Sequence, residues 1–198
     1  MTGLAETQPI HSMPLPMARR WVVFDHTIEG LFLVALRGRL PPATVERLRR
    51  AGLDLSKKLQ PAYPFQVWKQ CLEIAAADLY PHVSRAEAWR KLGRAIVEGM
   101  SQRVMGRAMV RVSRMLGPLR ALRRIDHILN SADNYVEARV TERSRTCVEV
   151  WISEVMGQPT YYQGILEASL VMTGTEVGQV ELISLDGFGA TYRVSWEE

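Results

Sequence analysis

Apolar residues recur at helical spacing through the first two thirds of the chain and switch to two-residue spacing in the last third. Trp21-Val22-Val23-Phe24 is a short apolar run suited to a strand or a buried lead-in, and Ile28, Leu31, Phe32 and Ala35 then fall on one helical face as far as Gly38. Pro41 and Pro42 precede a helix from Ala43 to Arg50 that Gly52 stops, since proline is tolerated in a first turn whose N–H lacks an intrahelical acceptor. Phe65, Trp68, Leu72, Ala75 and Leu79 trace the next face, opened by Pro64 and closed before Pro81. Ser84 and Glu87 have the spacing of a capping box, and Trp89, Leu92, Ile96 and Val97 follow towards Gly99 and Gly106. A further helix runs to Leu116, where Gly117-Pro118 ends it, and Leu119, Leu122, Ile125 and Leu129 mark one more short helix.

Beyond residue 130 the period changes. Val136, Ala138 and Val140 alternate with Glu137, Arg139 and Thr141, and Cys147 to Ile152 follows a polar turn, which predicts a β-hairpin. Pro159 opens a helix holding Tyr162, Ile165, Leu166 and Leu170, and Val177–Leu185 and Thr191–Trp196 form a second hairpin about Asp186-Gly187. The expected fold is therefore α+β, with an N-terminal helical layer packed on a C-terminal antiparallel sheet of about four strands in β-β-α-β-β order. Residues 1–20, with Pro9, Pro14 and Pro16 and no periodicity, read as a flexible tail. Residues 21–198 read as one domain, mainly helical over 21–130 and sheet plus one helix over 131–198.

Composition narrows the class. With 198 residues, 47% hydrophobic and 23% charged, the chain can bury an ordinary core. No run reaches the ~20 apolar residues of a membrane span and the first residues lack a secretory pattern, so a cytoplasmic protein is expected. Cys71 and Cys147 stand apart, without Cys-x-x-Cys or a nearby His cluster, so neither a metal nor a disulfide is expected.

Charge is divided along the chain: residues 1–128 hold 21 Lys/Arg against 10 Asp/Glu, and residues 129–198 hold 4 against 11. Such asymmetry fits an anionic partner, a dimeric contact or internal complementarity. It concentrates in one helix, where Arg103, Arg107, Arg111 and Arg114 share an arc of about 80° at 100° per residue. Arg120 and Arg124 extend that positive face, which is a candidate partner or anion surface. Val104, Met105, Ala108, Met109, Val112, Met115 and Leu116 lie opposite and read as core-facing. Met105 and Met109, with Ile165 and Leu166, are candidates to line an apolar pocket across the helix–sheet interface.

Catalytic patterns are sparse. Asp25-His26-Thr27 has no serine or cysteine nucleophile beside it and serves equally to begin a helix. His127 has Arg123, Arg124 and Asn130 where metal binding needs further ligands, and His82 suits a helix C-terminus. Gly187-Phe188-Gly189 lies in a hairpin turn, so it is no phosphate loop.

Several segments resemble a family of uncharacterised proteins found chiefly in myxobacteria: Asp25–Leu31, Gly52–Leu55, Pro61–Pro64, Leu92–Arg94, Leu116–Pro118, Asn134-Tyr135 and Tyr162–Ile165. The closing hairpin–helix–hairpin, with Gly164 early in its helix and the ending Ala190–Trp196, is similar to the superfamily of four-vinyl reductases, haem nitric-oxide/oxygen-binding domains and TRAPP subunits. That resemblance implies a scaffold, or a module that holds haem, acyl chains or other small apolar ligands between helices and sheet. Haem-binding relatives carry Tyr-x-Ser-x-Arg and a proximal histidine; no Tyr-x-Ser-x-Arg occurs here, so no cofactor is expected. The sequence thus predicts a non-enzymatic regulatory or sensory module acting through a small apolar ligand, a protein partner or self-association. A binder of nucleic acid or another anionic surface through the arginine helix is the alternative.

Overall fold

The computed structural model describes residues 21–197, and the predicted tail lies outside them. Val22–Phe24 forms strand β1, which pairs antiparallel with β2, Ala62–Pro64, with Val23 opposite Tyr63. This small sheet was not expected from a proline-bordered segment. It holds because Pro64 closes the strand and needs to donate nothing to it.

Helix α1, Asp25–Ile28, continues into a π-helix, Glu29–Ala35, whose wider turn brings Gly30 against Met100. Helix α2, Pro42–Arg50, starts with proline in its first turn as predicted, and α3 spans Phe65–Leu79. Helix α4, Arg85–Gln102, starts at Ser84, whose hydroxyl accepts the Glu87 N–H at 3.2 Å. Helix α5, Val104–Leu122, is broken at Gly117, where φ is +73° and the following Pro118 starts a new turn. Glycine is needed at that bend because other side chains clash there. The short helix expected over Leu119–Leu129 is thereby split between the end of α5 and α6, Ile125–Ala132.

Strands β3, Ala138–Ser144, and β4, Cys147–Ile152, precede α7, Pro159–Met172, and then β5, Gly178–Asp186, and β6, Gly189–Trp196. The chain order is the predicted β-β-α-β-β. In space the antiparallel order is β3-β4-β6-β5, so the last strand lies inside and β5 is left as an edge.

Layers follow from small residues. Helix α7 turns Tyr162, Leu166 and Leu170 one way, all buried, and its Gln163 amide donates to the Val180 carbonyl of β5 at 2.8 Å. The Pro159 carbonyl receives the Tyr192 hydroxyl of β6 at 2.7 Å. On its other side α7 meets α4 backbone to backbone: a Cβ on Gly93 would fall 1.9 Å from the Tyr161 carbonyl oxygen, and one on Gly164 2.1 Å from that of Arg90. About 120° around α4, Gly99 is pressed against the Gly30 carbonyl of the π-helix. Sheet, α7, α4 and the π-helix therefore stack in that sequence, with α4 central.

A candidate docking helix and the cleft beside it

Helix α5 inverts the face expected of it. At 100° per residue Gly106, Val110 and Ser113 share an arc of about 60°, and these small or half-buried residues meet the protein. Gly106 rests on the preceding helix, where a Cβ would lie 1.9 Å from the Met100 carbonyl oxygen. The larger apolar side chains point to water instead: Val104, Met105, Met109, Val112 and Met115 are exposed, Met105 by 74% and Met115 by 86%. Met105 and Met109 therefore share no pocket with Ile165 and Leu166, which are buried side chains of α7. Periodicity locates an apolar stripe but not its partner, and the glycine contacts claimed the opposite side of this helix.

The arginine stripe divides. Arg103 is held by the start of the fold, donating to the His26 carbonyl at 3.0 Å and meeting the Glu29 carboxylate at 2.7 Å. Arg107 turns back to the Gln102 carbonyl at 2.7 Å. Among the described residues Arg111, Arg114, Arg120 and Arg124 meet no carboxylate, while Arg123 pairs with Glu142 of β3. Part of the predicted internal complementarity thus exists, but four arginines of this stretch remain available.

Between α4, α5, α7 and β5 lies a cleft of about 1150 Å³, and its walls include Val110 and Arg114 of α5, Leu170 and Val171 of α7, and Glu181 and Leu182 of β5. One wall is fixed by Glu167, which accepts from Arg90 and, at 2.7 Å, from Arg94, a pair one helical turn apart on α4. That carboxylate is mostly buried, so the triad locks α4 to α7 beside the glycine contact. Glu98, Glu176 and Glu181 on the rim have no cationic partner among the described residues. Nothing in the sequence pattern marked this cleft, because its walls come from four separate segments.

The histidines considered from sequence stay apart from it. The His26 ring lies 3.7 Å from Asp25, whose carboxylate accepts the His26 backbone N–H at 2.7 Å, a local helix-start arrangement. His82 and His127 are exposed. Burial pushes the Cys71 thiol up to about 12, so it is a protonated core residue. No group of three or more His, Cys, Asp or Glu positioned for a metal occurs among the described residues. Tyr135 and Arg139 have the five-residue spacing of Tyr-x-Ser-x-Arg with Glu137 between, but Tyr135 stacks on Trp21 and Arg139 lies over the Trp151 ring. The space between α7 and the sheet is filled by Tyr162, Leu166, Tyr192 and their neighbours. These residues do not fit a haem, which needs a ligand aimed into a flat slot.

Buried charge sits elsewhere, at the joint between α6 and β3. Asp133 accepts the N–H groups of Tyr135 at 3.1 Å and Val136 at 2.9 Å, and burial raises its carboxyl to about 6. Glu154 is likewise raised by burial and caps the Met156 N–H at 2.6 Å. Both were missed in the sequence because a lone acid in a connection between helix and strand looks like any surface residue. Their bonds are to backbone, which makes them supports for the turn.

A family model described as "Protein of unknown function (DUF2378)" matches residues 21–197. No curated protein matches the chain. Among solved structures, an oxygen-binding H-NOX domain related to soluble guanylate cyclases, in its oxygen complex, is similar with a TM-score of 0.63 at 16% identity, covering 87% of this chain and 95% of that one. An H-NOX structure solved to study activation has a TM-score of 0.63 at 17% identity, with coverage of 89% and 97%. The unliganded Fe(II) H-NOX protein of K. algicida has a TM-score of 0.61 at 14% identity, with coverage of 87% and 95%.

Proposed function

We propose that this chain, which belongs to the DUF2378 family and has the fold of H-NOX domains, is a regulatory binding module that works by docking a protein surface on helix α5. The observation that carries this reading is the outward apolar face of α5, with Met105, Met109 and Met115 in water beside arginines that meet no carboxylate. An exposed apolar stripe rimmed by polar residues is the kind of surface that a partner covers. Methionine suits such a surface because its unbranched, polarizable side chain adapts to a partner. No catalytic constellation accompanies it among the described residues, so the proposed activity is binding.

The haem of the structural relatives is not carried into this reading, since His26 is engaged beside Asp25, His82 and His127 are exposed, and Tyr135 and Arg139 pack on Trp21 and Trp151. A second reading, a small apolar ligand, has one feature in its favour: the cleft beside α5, with Val110, Leu170, Val171 and Leu182 in its wall. Nucleic acid is less well supported, because Arg103 is already paired with Glu29 and no ring contact to the other α5 arginines occurs among the described residues.

Native mass spectrometry of the chain purified from its own host tests the proposal, alongside a variant with Met105, Met109, Val112 and Met115 changed to Gln. The expected result is an additional polypeptide on the native chain that is absent from the variant. A native chain that always appears at its bare mass overturns the reading.

A further inference from the structure

The same molecule that exposes the α5 face also offers a surface complementary to it. Strand β5 is a nine-residue edge, paired on one side only by β6, and Leu182, Ile183, Leu185 and the neighbouring Phe188 are exposed along it. A long exposed apolar edge is a liability that natural folds cover. Charge runs the opposite way to that of α5. Glu176, just before β5, and Glu181, within it, are exposed and meet no cation among the described residues, whereas Arg111 on α5 meets no carboxylate.

We propose that the surface docked on α5 is a second copy of this chain, arranged about a two-fold axis so that the exposed Val112 and Met115 face of each α5 enters the other's cleft and Arg107 and Arg111, which border that face, meet Glu176 and Glu181. This rests on the docking role of α5 and names its partner. Area favours reciprocity. The stretch from Val104 to Met115 is roughly 18 Å long and about 10 Å wide, well short of the ~800 Å² that each partner gives to a stable interface. A two-fold arrangement in which each copy both gives its helix and receives the other's counts the contact twice and adds the β5 edge. Charge favours it too. The basic residues 1–128 and acidic residues 129–198 attract between copies only when unlike halves meet, which helix-on-edge docking achieves and helix-on-helix docking does not. The cleft supplies apolar contact in Val171 and Leu182, so the interface does not depend on charge alone.

Sedimentation velocity over about 1–100 µM protein tests this. The expected species has twice the 22.4 kDa chain mass, and a Met109→Glu/Val112→Glu variant is expected to remain monomeric while keeping the far-UV circular dichroism of the native chain. A charge exchange identifies the paired surfaces. Arg107→Glu/Arg111→Glu and Glu176→Arg/Glu181→Arg variants should each be monomeric alone and form a dimer when mixed, because only the mixture opposes unlike charges at both contacts. A native chain that stays monomeric throughout, or a Glu176→Arg/Glu181→Arg variant that dimerises as tightly as the native chain, overturns the arrangement. A monomeric native chain that still retains a different polypeptide in native mass spectrometry overturns self-association and leaves the docking role of α5 standing. One that retains nothing overturns both.

Discussion

Asp133 shows how a single buried side chain can tie stability to pH. Its carboxyl accepts two backbone N–H groups, which favour the charged form, yet burial outweighs them and raises the group to about 6. An acid whose pKa rises on folding binds its proton more tightly in the folded state. Its contribution is therefore fully present below the unfolded value near 4 and is lost as pH rises through about 6. Asn keeps an acceptor oxygen for the same two N–H groups but has no proton to lose. Unfolding free energies of the native chain and Asp133→Asn, measured by urea titration at pH 4 and pH 7, should therefore shift relative to one another. The variant gains on the order of 2–3 kcal/mol over that interval. A constant difference across that range would mean that the carboxylate is solvated in the folded protein.

Among the elements, α4 and α5 use glycine in the same way but have different surroundings. Gly93 lets α4 touch α7 at backbone distance in the centre of the molecule, and Gly106 lets α5 fold back on the end of α4 at its margin. Adding one methyl group at Gly93 forces it to within 1.9 Å of a carbonyl oxygen that is fixed by its own helix, so the two helices must separate. Gly93→Ala should cost about 3 kcal/mol or more. At a protein concentration below that of self-association, Met105→Gln with Met109→Gln should change stability by less than about 0.5 kcal/mol, because both side chains are then in water. Chemical denaturation of the two variants side by side gives both numbers. A large loss in the α5 variant would place that helix face against the protein rather than in solvent. The same contrast explains why periodicity succeeded for α4 and failed for α5: α4 has neighbours on several sides, while α5 touches the protein along its small-residue stripe.

At the level of the whole molecule, the H-NOX fold is present, and the described residues do not suit haem. His82 and His127 are exposed, His26 is engaged beside Asp25, and the layer between α7 and the sheet is occupied by Tyr162, Leu166 and Tyr192. Addition of ferric haem to the purified chain should therefore give the spectrum of free haem, with no sharpened Soret band and no stoichiometric iron after gel filtration. A sharp Soret band and one iron per chain would show that the layer opens and that an axial ligand exists. No helix among the described residues is long and apolar enough to cross a membrane.

The sequence by itself determined most of the elements, though not the β1–β2 sheet or the division between α5 and α6. Proline and glycine at Pro42, Pro64, Gly117 and Gly187, the Ser84 cap, and the change from helical to alternating spacing near residue 136 act over a few residues, so the helices and both hairpins of the four-stranded sheet were legible. It also showed the division of charge and the apolar stripe of α5. Only the tertiary structure decided that β6 lies inside and β5 at the edge, that Glu167 joins Arg90 and Arg94, and that Met105 and Met109 point to water while Leu166 is buried. Those outcomes depend on which surfaces meet across long separations. The deciding contacts are close approaches at glycines, Gly93 to Tyr161 and Gly30 to Gly99, whose reach cannot be read from a residue that has no side chain.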